Sequence, residues 1–131
     1  MRYLMPNLPC EFEIPDDWIA ESDIGDFSPR AIAYRSSADA RLIPLTEVAP
    51  LPRFKSVPND WQGFERKRFV DLLKGFVTDD SIPPVPVVQL PDSSHLVRLS
   101  YRYCIRNGFH RYYGSILAGF SHLPATVDTN V

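Results

Sequence analysis

Thirteen prolines punctuate this chain, and they decide where regular structure can run. Proline fixes φ, lacks an N–H and breaks helix interiors. Pro6, Pro9, Pro15 and Pro29 divide the first thirty residues. One short helical pattern fits there, from Pro15 or Asp16 through Ala20, with Asp16 and Asp17 in its first turn and Trp18 and Ile19 turned inward. Residues 1–40 therefore read as an irregular N-terminal arm packed on the core, and residues 41–131 as the domain that builds it. Pro44, Pro50, Pro52 and Pro58 cut the next stretch into extended pieces. Arg41–Leu45 reads as an edge strand, because Pro44 offers no ladder donor.

After Pro58 the pattern changes. Asn59 and Asp60 offer a cap, with Gln62 three residues beyond Asn59 as in a capping box. Phe64, Phe69, Leu72, Leu73 and Phe76 then recur at helical spacing, while Glu65, Arg66, Lys67, Arg68 and Asp71 take the opposite face. Gly75 stands where glycine commonly closes a helix. From Val85 to Leu90 the period becomes two, and Pro86 marks an edge or a strand start. Pro91–Ser94 is a turn. From His95 to Arg106 the chain alternates regularly: Val97, Leu99, Tyr101, Tyr103 and Ile105 on one face, Arg98, Ser100, Arg102, Cys104 and Arg106 on the other. The polar face is either a water-facing side or a basic wall beside the turn that follows.

That turn, Asn107-Gly108-Phe109-His110-Arg111-Tyr112-Tyr113, joins the strand pattern to a helical one running from about His110 to Ala118 and closed by Gly119. A glycine at such a joint lets the backbone turn tightly. The unpaired N–H groups of a new helix favour an anion, and Arg111 adds fixed charge. These residues form a candidate phosphate site. Leu123–Val127 reads as a closing strand, parallel to the Val97–Ile105 strand through a right-handed crossover. The whole predicts an α+β fold: a small mixed sheet with packed helices.

Composition bounds the function. At 131 residues and 44% hydrophobic, the chain has enough apolar material for one core. A net charge of −2 argues against a general nucleic-acid binder. No apolar run reaches the ~18 residues of a membrane helix, and Met1–Pro6 does not form a signal peptide, so the expected location is the cytoplasm. Cys10 and Cys104 stand far apart, as do His95, His110 and His122, so no metal-ligand spacing is present.

The run Tyr103–Gly114, followed by Ala118-Gly119-Phe120 and Leu123-Pro124-Ala125, resembles the signature of the ParB-like/sulfiredoxin superfamily. The upstream residues agree with it: Pro52-Arg53 in a loop, a helix, then the proline-rich strand entry Ile82–Val87. The resemblance spans roughly Leu42 to Val127 and leaves the arm outside. It implies a ParB N-terminal/sulfiredoxin-like fold, with nucleotide phosphates held by Asn107, Gly108, His110 and Arg111, and with Arg53 closing the site. ATP or CTP with Mg²⁺ is the ligand class it implies. Phe109 stands where sulfiredoxins carry their catalytic cysteine, so thiol chemistry is not expected. Gly114 replaces the small alanine of ParB-like CTP sites, and no helix-turn-helix region follows Val127.

Three function classes follow. The first is a nucleotide- or phosphate-binding protein, extending to a phosphotransferase or nucleotide hydrolase, with His110 and Glu65 as candidate acid–base groups. The second is a non-catalytic regulatory or scaffold module. The third is a nuclease-like domain, which the acidic balance and the lack of an obvious carboxylate metal cluster disfavour. Tyr112 and Tyr113 offer rings for stacking on a base, although helical spacing sends at least one into the core.

Overall fold

The computed structural model describes residues 1–49, 60–94, 97 and 100–128. Arg53, Asn59, His95 and Arg98 lie outside the described residues.

The fold is α+β, as expected. A four-stranded mixed sheet contains β3 (Arg41–Pro44), β4 (Val85–Gln89), β5 (Tyr103–Ile105) and β6 (His122–Asp128). Their spatial order is β3-β6-β4-β5. β6 runs antiparallel to β3, with Arg41 opposite Ala125, and parallel to β4, with Val85 opposite Ala125. β5 runs antiparallel to β4, with Val87 opposite Ile105. The outer edge of β5 is covered by residues 47–49: the Arg102 N–H donates to Glu47 O and the Ala49 N–H to Tyr103 O. The sheet is curled. Arg41 on β3 brings Cζ within 5.9 Å of the Tyr103 ring on β5, although two strands separate them in order.

Three α-helices accompany the sheet among the described residues: α1 (Asp16–Ser22), α2 (Arg66–Val77) and α3 (Phe109–Ala118). α2 packs against both α1 and α3. Its buried stripe is Phe69, Val70, Leu73 and Phe76. Burying each such side chain contributes roughly 1.5–3 kcal/mol.

The N-terminal forty residues are more regular than the proline pattern implied. β1 (Arg2–Leu4) and β2 (Glu11–Glu13) form an antiparallel hairpin ahead of α1. Phe12 faces inward from β2 and meets Tyr113 of α3 edge-on, with ring centres 5.0 Å apart. Met5, Ile14, Trp18, Ile24 and Tyr34 join the same hydrophobic core. The prolines lie between these short elements rather than preventing them.

Three other expectations need correction. First, α2 begins at Arg66, not near Asp60. Gln62 and Gly63 both have positive φ, 42° and 96°, and form a tight turn that pairs Trp61 with Phe64. Asp60 still acts locally, since its Oδ2 accepts the Arg66 N–H at 2.6 Å. Phe64 is therefore buried just before the helix. Gly75 lies inside the helix, which ends at a Thr78 cap. Second, β5 is three residues long. The Val97 N–H donates to Ser94 O and the Ser100 N–H to Val97 O, Val97 is helical and Ser100 takes φ 73° in a turn, so neither position joins a ladder. Third, β6 pairs with β4 and β3, not with β5, and runs antiparallel in sense to β5. The crossover rule does not apply, because β5 first folds back on β4. That leaves β4 interior, with Pro86 tolerated at the strand's start, where its carbonyl accepts the Arg106 N–H.

Candidate functional site

The joint between β5 and α3 forms where it was expected. Gly108 caps α3 with φ 119° and ψ 34°. Only glycine adopts this conformation cheaply, and here space adds a second requirement. A Cβ on Gly108 would lie 2.9 Å from Val85 Cγ1 and 3.2 Å from Cγ2. Gly119 closes the helix with φ 93°, and the Phe120 N–H returns to Ser115 O. The Tyr112 N–H is the first to bond within the turn, to Gly108 O at 2.9 Å. The N–H groups of Phe109, His110 and Arg111 have no acceptor among the described residues. They are the orphan donors of a helix start, where the backbone dipoles present positive potential.

His110 and Arg111 diverge from this point. The His110 ring turns to α2, and its Nε2 accepts the backbone N–H of Glu65 at 3.0 Å. It packs among Phe64, Phe69 and Phe109, with ring centres 5.5–5.9 Å away. Burial, followed by the nearby Arg68 cation, pushes its pKa down to about 4. A neutral ring with Nε2 as acceptor is consistent with that shift. His110 and Glu65 are thus brought together, but through the Glu65 backbone. The Glu65 carboxylate is exposed and stands 3.9 Å from Arg68 Nη1.

Arg111 turns the other way. Its Nη1 donates to the carbonyls of Pro83, at 3.0 Å, and Pro84, at 2.8 Å, just before β4. The Tyr34 hydroxyl donates to the same Pro83 carbonyl at 2.7 Å. Burial pushes the Tyr34 phenol up to about 12, with Arg111 pulling the other way. Arg111 therefore straps α3 to the loop before β4 while keeping its charge beside the turn. Asn107 is exposed at the turn. Arg106 pairs with Asp128 at 3.0 Å, a solvent-facing contact worth no more than about 1 kcal/mol. Tyr112 and Tyr113 are 1% and 3% exposed, so both rings fill the core. Cys104 is half-buried and Cys10 exposed, and both are free thiols. Among the described residues, no three His, Cys, Asp or Glu side chains converge on a metal-sized site, and no helix is long and apolar enough to cross a membrane.

The sequence pointed to His110, Glu65 and Arg111, but not to the backbone contact between His110 and Glu65 or to the carbonyls that Arg111 holds. Glu65 is 45 positions from His110, and Pro83 is 28 from Arg111. No local pattern encodes contacts at such separations.

His110 makes stability depend on pH. Above pH 6.5 the ring is neutral in both folded and unfolded chains. Below it the unfolded chain takes up a proton first, so stability contributed by the neutral ring falls as pH drops from 6.5 to about 4. The ring is only partly buried, so screening reduces the effect to about 1–2 kcal/mol. Urea unfolding across this range should show the loss, and His110→Gln should flatten the curve. An unchanged slope in that variant would refute the assignment.

Comparison with protein-family models, curated proteins and solved structures returns no match to this chain. The fold and the turn define it as a small α+β protein with a mixed four-stranded sheet and a glycine-capped helix start.

Proposed function

We propose that this chain binds a phosphate-bearing small molecule at the start of α3 and acts there as a binding module, not a catalyst. The observation that carries this reading is the group of three N-terminal amides, Phe109, His110 and Arg111, without acceptors among the described residues. They follow a left-handed Gly108 held against Val85, so their direction is fixed before a ligand arrives. Fixed N–H donors at a helix start suit phosphate oxygens. Arg111 supplies a cation at the same turn. The resemblance to the ParB-like/sulfiredoxin signature supports the same residues, and a nucleotide such as CTP or ATP with Mg²⁺ is the ligand class it offers.

The non-catalytic part of the reading rests on His110 and Glu65. His110 uses Nε2 on a backbone N–H and carries a depressed pKa, so it is a poor proton donor near neutrality. The Glu65 carboxylate faces Arg68 at the surface.

The test is amide-resolved NMR of the full chain titrated with pyrophosphate, CTP and ATP, each with and without Mg²⁺. Binding should move the Phe109, His110 and Arg111 amide signals first and raise the melting temperature, because a ligand of the native state stabilises it. Unmoved signals at those three positions with millimolar ligand would overturn the proposal. Turnover of the nucleotide would overturn the non-catalytic part alone.

A further inference from the structure

The two sheets leave four outer edges among the described residues, and three of them are protected. Residues 47–49 cover the edge of β5. On β3, the Leu45 N–H donates to Ser121 O, so antiparallel alternation points Arg41 and Ile43 at β6 and turns Leu42 and Pro44 outward. Pro44 has no N–H to offer, which blunts that edge. On β2, the Glu13 carbonyl accepts Trp61 Nε1–H at 2.9 Å, and the carboxylates of Glu11 and Glu13 charge the strand.

The outer edge of β1 has no such protection. Met1 and Ile14 exchange both backbone hydrogen bonds at 2.9 Å, and the Met5 N–H donates to Cys10 O at 3.0 Å. The same alternation makes Tyr3 and Phe12 the bonded pair between them, so the N–H and C=O groups of Arg2 and Leu4 point outward. These groups have no partner among the described residues. The Leu4 side chain is 65% exposed, so the edge beside it is open.

We propose that β1 pairs antiparallel with β1 of a second copy of this chain, about a two-fold axis at Tyr3, and joins the two hairpins into one sheet. The edge is self-complementary in that register. Arg2 of either copy falls opposite Leu4 of the other, and each such pair exchanges both its backbone hydrogen bonds. No like charges are opposed, because Arg2 stands between Glu13 of its own hairpin and Leu4 of the other copy. A slip of one residue would set the outward groups of one copy against Tyr3 of the other, whose groups are already bonded to Phe12. That match favours a second copy over a foreign strand. Strands of three residues bury less than the ~1,200 Å² of a stable interface, so the dimer is weak and exchanges rapidly.

The test is sedimentation equilibrium of the full chain from about 10 μM to about 1 mM, the range of a weak interface, with amide NMR over the same dilution series. The mass should rise toward that of a dimer. The Arg2 and Leu4 amide signals should move with concentration, and that of Leu42, on the edge blunted by Pro44, should not. Leu4→Pro deletes an outward donor without removing a bond to β2, and should raise the dissociation constant about tenfold or more. Leu4→Ala keeps the donor and should stay within about threefold of the parent. The pairing is overturned if the chain remains monomeric at about 1 mM, which would leave the edge to a foreign strand or to solvent. It is equally overturned if the chain dimerises with the Arg2 and Leu4 signals unmoved, or if a folded Leu4→Pro variant dimerises as the parent does. The NMR series uses the parent chain alone, so it decides the matter even where Leu4→Pro does not fold. None of these results bears on phosphate binding at α3.

Discussion

Replacing Gly108 with alanine should cost about 2–6 kcal/mol, a large share of the ~5–15 kcal/mol that holds a domain folded. Two effects combine. A non-glycine residue at φ 119° is strained by about 1–3 kcal/mol. The added methyl also lands 2.9 Å from Val85 Cγ1, and Val85 is fully buried in an interior strand, so overpacking adds about 1–3 kcal/mol. Gly119→Ala is the natural comparison. It carries similar strain at φ 93°, but its new Cβ would meet Pro29 Cγ at an ordinary 3.5 Å. Urea unfolding should show the Gly108 variant to be the less stable of the two. Equal losses would mean that contact with Val85 does not matter. Where the Gly108 variant still folds, its α3 amides should be displaced, and phosphate binding should weaken with them.

Phe64→Ala should be comparably damaging, at about 3–5 kcal/mol, the usual range for emptying a buried aromatic site. Phe64 is fully buried. Its ring lies 5.0 Å from Phe69, 4.9 Å from Phe109 and 5.4 Å from Tyr113, and so joins α2 to α3. Phe64→Leu keeps most of the volume and should cost under about 1.5 kcal/mol. A second readout separates packing from general loosening. Burial is the main cause of the low His110 pKa, and Phe64 supplies part of that burial. NMR titration of the alanine variant should therefore find the His110 pKa moved from about 4 toward 6.5. A pKa that stays put in a destabilised variant would show that the ring is sheltered by other residues.

Both residues were visible in the sequence, but for different reasons. Gly108 and Gly119 stand at the ends of a helical pattern, and a positive φ at a helix end is a local demand that glycine meets. α3 was therefore readable almost to the residue. Phe64 fitted the helical spacing of α2, yet the structure places it in a turn, because Gln62 and Gly63 reverse the chain first. The alternation from Val97 to Ile105 implied a long strand, but Ser100 breaks it and only Tyr103–Ile105 pairs with β4. Alternation records which side chains face inward and does not identify a pairing partner. The same limit applies at the site. Gly108 announced a turn, whereas the positions of His110 and Arg111 depend on Glu65, Pro83 and Pro84, which only folding brings near.

The central position of β6 has a consequence for how the chain is made. β3, β4 and β5 are all synthesised before β6, yet among the described residues β3 has β6 as its sole ladder partner, beginning with Pro44 opposite His122. β4 and β5 can pair as soon as both have left the ribosome. β3 has to wait until residue 122 has followed. During that interval β3 and one side of β4 present unpaired backbone groups, the kind of edge that recruits neighbouring chains. A nascent chain paused before His122 should therefore be more aggregation-prone than the finished sheet, in which β6 fills the gap between β3 and β4.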